Sequence, residues 1–92
     1  MVIGIPKEVL GGEARVAIFP NDIKQLKKQG LKFIVEKDAG ENSSVSNEEY
    51  IQSGANIVEN VYTSADVVIK VNSPTKSEIN QIKEKTLLIS LL

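Results

Sequence analysis

One lysine stands inside the most apolar stretch of the chain. Residues 67–71 read Val67-Val68-Ile69-Lys70-Val71, and apart from the lysine every side chain is β-branched and hydrocarbon. Such a run predicts a strand covered on both faces, because branched side chains fit extended backbone and gain most from burial there. An ammonium cannot be buried alone without a cost of several kcal/mol. Lys70 must therefore reach water from the strand's carboxyl end, pair with a carboxylate, or hold an anionic ligand.

The rest of the chain alternates in the way such a strand requires. Val2, Ile3, Gly4 and Ile5 form a short apolar run stopped by Pro6, which has no N–H to donate to a ladder. Gly11 and Gly12 lie in the loop that follows. Pro20, next to Asn21 and Asp22, predicts a helix start with Ile23 and Leu26 on the buried face, and Gly30 ends it. Phe33, Ile34 and Val35 predict a second strand, and residues 38–44 a polar loop. Ser46 with Glu49 makes a capping box for a helix over Asn47–Ser53 that turns Tyr50 and Ile51 inward and stops at Gly54. Ile57 and Val58 make a weak third strand, and residues 60–65 a turn of helix before the strand that carries Lys70. Pro74 ends that strand. Thr75 with Glu78 repeats the capping box for a helix bearing Ile79 and Ile82, and residues 87–92 form a last strand. Strands alternating with short amphipathic helices predict an α/β domain with a mainly parallel sheet, whose loops at the strands' carboxyl ends are the place for chemistry.

Composition narrows the functions. The chain has 92 residues, room for one domain with a modest core. A formal charge of −1 with no basic run longer than Lys27-Lys28 gives no footprint for nucleic acid or an anionic membrane. Absent cysteine and histidine remove thiol chemistry, Cys/His zinc sites and histidine acid–base catalysis from these residues. No apolar stretch approaches the ~20 residues of a membrane-spanning helix, and the amino terminus has no secretory pattern. A soluble, cytoplasmic protein is expected. No Gly-x-Gly-x-x-Gly occurs, so these residues should not bind a dinucleotide through that turn.

Arg15 is the second candidate. It sits in the loop Gly11-Gly12-Glu13-Ala14-Arg15-Val16-Ala17 after the first strand, where its planar guanidinium either pairs with Glu13 or Glu8 at the surface or faces a carboxylate or phosphate. With Lys70 at the same edge, the two make a possible two-pronged clamp for an anion. The carboxylates Glu8, Glu13, Asp38 and Glu41 are scattered through loops and read as solvated, as does the lysine face of Lys24, Lys27 and Lys28.

Several motifs in a fixed order carry a resemblance. Ile3-Gly4-Ile5-Pro6-Lys7-Glu8, Gly12-Glu13-Ala14-Arg15-Val16-Ala17, Pro20, Val35-Glu36, Ala39-Gly40, Glu49-Tyr50, Ser53-Gly54-Ala55 and Ala65-Asp66-Val67-Val68-Ile69-Lys70-Val71 together resemble the start of alanine dehydrogenases and of proton-translocating NAD(P) transhydrogenase alpha subunits. The likeness covers essentially the whole chain. Lys70-Val71-Asn72-Ser73-Pro74 and Ile89-Ser90-Leu91 look more like the transhydrogenase version. Val45 stands where an aromatic is common.

The resemblance implies a Rossmann-like or flavodoxin-like three-layer arrangement, with residues 1–92 forming the first part of an amino-terminal domain and the nucleotide-binding domain absent from them. It implies an enzyme that passes hydride between NADH and NADP+, with NAD(H) held elsewhere in the alpha subunit and NADP(H) on a partner. The implied partners are the rest of the alpha subunit, a second alpha subunit in a homodimer, and a membrane-embedded beta subunit that keeps the complex at the inner membrane. In the alanine dehydrogenases, the positions matching Arg15 and Lys70 hold pyruvate, and the catalytic histidine would fall beyond Leu92. These residues alone are then expected to be inactive. The same piece of an alanine dehydrogenase, or a free-standing carboxylate-binding module, are the other readings.

Overall fold

The computed structural model describes residues 1–8, 15–72, 75–82 and 86–90. Its strands are β1 (Val2–Ile5), β2 (Lys32–Glu36), β3 (Asn56–Val58), β4 (Val67–Lys70) and β5 (Leu87–Ser90), and its helices α1 (Pro20–Leu26), α2 (Asn47–Ser53) and α3 (Lys76–Gln81). All strand pairs are parallel, in the order β3-β2-β1-β4-β5. The chain builds outward from β1 to β3, returns to the other side of β1 as β4, and builds outward again to β5. This is a doubly wound α/β sheet, and its topological switch point lies between β1 and β4.

Local chemistry explains the boundaries. Ser46 and Thr75 each accept a hydrogen bond from the backbone N–H three residues on, at 3.2 Å and 3.1 Å, while Glu49 and Glu78 accept from the capping residues' own N–H groups. Gly30 and Gly54 close their helices at φ 85° and 107°, where a side chain would be strained. Residues 60–65 contain one helical turn, with the Ala65 N–H donating to the Val61 carbonyl at 3.0 Å.

Alternation along the strands divides the core into two layers. Ile3, Ile5, Phe33 and Val35 pack with Ile23 of α1 and Tyr50 of α2, joined by Val16, Ile18 and Val45. Ile34 and Val68 pack on the opposite side with Val61, Tyr62 and Ala65. Gly4 is required where these meet, since a Cβ there would lie 2.8 Å from the Ala65 Cβ and 2.9 Å from the Val61 Cβ.

Several expectations about facing are corrected. Ile23 and Tyr50 are fully buried, but Leu26 is 37% exposed and Ile51 50% exposed. Each helix is about two turns long or less, so one side chain reaches the sheet and its neighbours rotate away. In α3 the buried residue is Glu78, while Ile79 is exposed and Ile82 half-buried. β4 is closed on the face of Val68 and Lys70 but only half-covered on the face of Val67 and Ile69. β5 continues that open face with Leu87 and Ile89, both exposed. The expected turn around Gly11 and Gly12, the stop at Pro74 and the last residues of the final strand, Leu91 and Leu92, lie outside the described residues.

Candidate functional site

At the switch point the two central strands part. The β1–β4 register pairs Ile3 with Val67 and Gly4 with Val68, whereas β4 and β5 remain in register to Lys70 and Ser90. Pro6 contributes no N–H beyond this point. The gap is filled by the side chain of Glu8, two residues further on.

The Glu8 carboxylate accepts three hydrogen bonds. Its Oε1 takes one from Lys70 Nζ at 3.1 Å and one from the Asn72 N–H at 3.1 Å; its Oε2 takes one from the Val71 N–H at 3.0 Å. Lys70 Nζ also donates to the Asn72 carbonyl at 2.8 Å and lies 3.6 Å from Glu78 Oε1. The Lys70 side chain is 1% exposed and Glu8 3%. Two of the ammonium's three N–H groups thus have hydrogen-bond acceptors, and Glu78 adds an ion pair at 3.6 Å.

Glu78 extends the network to the helix layer. Its Oε1 serves the capping box of α3, and its Oε2 accepts from the Tyr62 hydroxyl at 3.0 Å. Burial pushes the Tyr62 phenol well above its ordinary range, and the hydrogen bond to Glu78 with the charges of Glu78, Glu36 and Glu8 adds to this, so Tyr62 remains a neutral donor. Glu36, at the end of β2, accepts from the Lys7 N–H at 3.2 Å. Burial raises its pKa above the ordinary carboxylate value, making it a weaker acid; the Lys7 N–H opposes this, and the charge of Glu78 adds to it. Two carboxylates thus enclose one ammonium, with a third carboxylate nearby.

The sequence candidates fare differently. Lys70 is at the carboxyl end of β4 as expected, but it does not reach water; it takes the paired alternative. Glu8, read from sequence as solvated, is its principal partner, and Glu78, read only as a cap, is the second. No local signal names Glu8, because that contact spans 62 positions, and the capping box accounts for Glu78 without pointing to Lys70. Arg15 is exposed at the start of the segment that leads to α1. That segment is pinned by buried Val16 and Ile18, and the Tyr50 hydroxyl donates to the Ile18 carbonyl at 2.7 Å. Arg15 therefore starts from a fixed backbone, with an accessibility opposite to that of Lys70. Glu13 lies outside the described residues. Among Asp38 and Glu41, the first is tied to Asn47 and the second pairs loosely with Lys7 at 3.8 Å.

Cofactor and metal sites have little to work with. The described glycines are committed elsewhere: Gly4 and Gly40 are packed against side chains, and Gly30 and Gly54 cap helices. Gly40 begins the short 3-10 turn Glu41–Ser43 after β2, and a Cβ there would meet Val45 and Tyr50 at less than 3 Å. Among the described residues no group of three potential ligands has metal-binding geometry, and no helix is long and apolar enough to cross a membrane.

A doubly wound parallel domain with a buried ion network at its switch point defines the structural class. Residues 4–92 match the family described as alanine dehydrogenase/PNT, N-terminal domain, and the chain belongs to that family. It is 40% identical over its whole length to the NAD(P) transhydrogenase subunit alpha of Haemophilus influenzae, covering 18% of that protein. It is likewise 40% identical over its whole length to the alanine dehydrogenase of Methanococcus maripaludis, covering 26%. The crystal structure of transhydrogenase from Sinorhizobium meliloti superposes over the entire chain with a TM-score of 0.94 at 31% identity, and the match covers 28% of that structure. The chain thus spans about a quarter or less of the curated relatives it matches. Both kinds of relative are oxidoreductases, so the family is one of enzymes.

Proposed function

We propose that the chain is the first part of the amino-terminal domain of an NAD(P) transhydrogenase alpha subunit, and that Lys70 serves its scaffold. The observation that carries this reading is the engagement of the Lys70 ammonium at 1% exposure, hydrogen-bonded to Glu8 and the Asn72 carbonyl and ion-paired with Glu78 at 3.6 Å. An incoming carboxylate would meet two resident carboxylates and would have to displace one of them. Hydride transfer between NADH and NADP+ does not call for that exchange, whereas binding an amino or keto acid through Lys70 does. The sequence Lys70-Val71-Asn72-Ser73-Pro74 leans the same way.

In this reading NAD(H) is held by the remainder of the alpha subunit and NADP(H) by a partner. Alpha subunits pair with each other and with a membrane-embedded beta subunit, at the cytoplasmic face of the membrane. Residues 1–92 form one segment of a larger domain arrangement and are inactive alone.

The second reading, an alanine dehydrogenase, is favoured by the exposure of Arg15 on a backbone held by Tyr50 and Ile18, a suitable mount for a carboxylate-binding fork. Parallel assays of the intact protein separate the two. NADH-dependent reduction of an NADP+ analogue in the presence of the membrane partner, without alanine-dependent reduction of NAD+, is the expected result. Alanine-dependent NAD+ reduction that collapses in Arg15→Met and Lys70→Met variants would overturn the proposal.

A further inference from the structure

The backbone N–H groups of Val71 and Asn72 and the ammonium of Lys70 converge on one small volume at the end of β4, and a carboxylate fills it. Successive backbone N–H groups aimed at a common point form a concave anion site, and a neighbouring cation strengthens it. The carboxylate belongs to Glu8, which arrives from the other side of the switch point at the end of β1. We propose that this is a built carboxylate-binding nest whose ligand is supplied by the chain itself, and that Glu8 is the positioning residue that sets Lys70 and the 71–72 turn.

Three features support an anion site over a simple salt bridge. Both carboxylate oxygens are used, with Oε2 given entirely to a backbone donor. The charge arrangement does not explain itself by pairing, since Glu78 lies within 3.6 Å of the same ammonium and one carboxylate would suffice to neutralise it. The position coincides with the crevice where doubly wound sheets hold their ligands; here that crevice is closed from inside. The nest is occupied by the buried Glu8 carboxylate itself, so the fitting probe is a carboxylate no larger than the group it replaces.

The group deleted in Glu8→Ala is CH2–COO−, the heavy-atom frame of acetate. The experiment is thermal unfolding of the intact protein, wild type and Glu8→Ala, in matched concentrations of sodium acetate, sodium benzoate and sodium chloride. Acetate should raise the midpoint of Glu8→Ala by about 2 °C or more at a concentration near ten times its dissociation constant, with no comparable response to benzoate or chloride and none in the wild type. A folded Glu8→Ala that treats acetate and chloride alike overturns the proposal. Glu8→Gln provides a second reading if the alanine variant does not fold. Its amide NH2 cannot accept, so one of the Val71 and Asn72 N–H groups loses its partner, and its amide exchange should accelerate at least tenfold. Retention of full protection at both amides also overturns the proposal. Neither measurement depends on which reaction the intact protein catalyses, so a failure here is separate from a failure of the transhydrogenase reading.

Discussion

The Glu8 carboxylate and the Lys70 ammonium stand 3.1 Å apart across the switch point of the sheet, although 62 positions separate them along the chain. The pair joins the ends of β1 and β4 where their backbone register has stopped. Breaking it from one side leaves a buried charge without its partner. Lys70→Met should therefore cost about 3–5 kcal/mol, because Glu8 and Glu78 then face each other without a cation. Combining it with Glu8→Gln should cost clearly less than the sum of the single changes. Urea denaturation of the four proteins of this cycle measures the coupling, and strictly additive losses would mean that the two groups do not depend on each other.

The Tyr50 hydroxyl secures the segment that carries Arg15. Its 2.7 Å bond to the Ile18 carbonyl is buried, so removal leaves that carbonyl without a partner. Tyr50→Phe should destabilise the protein by about 1–3 kcal/mol and should raise amide exchange in residues 15–19 before other regions. A loss confined to global stability, with unchanged exchange there, would show that Val16 and Ile18 hold the segment unaided.

Gly4 and Gly30 predict contrasting costs for the same substitution. At Gly4 an added Cβ would press on Ala65 and Val61 at less than 3 Å, and both contacts involve atoms fixed to the backbone. Gly4→Ala should cost about 1–3 kcal/mol through overpacking, part of which Ala65→Gly should restore. At Gly30 nothing lies within 4 Å and the strain is only that of φ 85°, so Gly30→Ala should cost about 1 kcal/mol with no second-site relief. Thermal midpoints of the three variants test the distinction.

Glu36 gives the pH dependence a definite sign. Burial, the largest influence, holds its carboxyl above the ordinary value of 4.5, with the Lys7 N–H opposing and the charges of Glu78 and Glu59 adding. The folded state then keeps this proton more tightly than the unfolded chain does. Its contribution is most favourable in acid, below the ordinary value, and is lost as pH rises through the raised one. Glu36→Gln should remove that decline and leave stability at pH 7 no lower than wild type, since the amide oxygen still accepts from the Lys7 N–H. Urea midpoints of both proteins between pH 4 and 7 provide the comparison; a variant that loses stability at pH 7 would show that the charged carboxylate is favourable where it stands.

Interactions within a few residues of each other were legible in sequence. The capping boxes at Ser46 and Thr75, the left-handed stops at Gly30 and Gly54 and the apolar strands around Ile5, Val35 and Val68 all depend on neighbours in the chain. These are sufficient to define an α/β domain, and the ordered motifs from Ile3 to Val71 carried the family resemblance that the match over residues 4–92 shows. Sequence also made Lys70 conspicuous, because one charge in an apolar run must be compensated.

What compensates it was decided only when β4 returned to the far side of β1. That crossover selected Glu8 from among loop carboxylates that are indistinguishable in sequence, and it set Glu78 inward in a helix whose Ile79 faces out. The reason is physical: a capping box or a strand is stabilised by contacts that close short loops, whereas a charge pair across a switch point exists only once two distant segments are held side by side by a completed sheet.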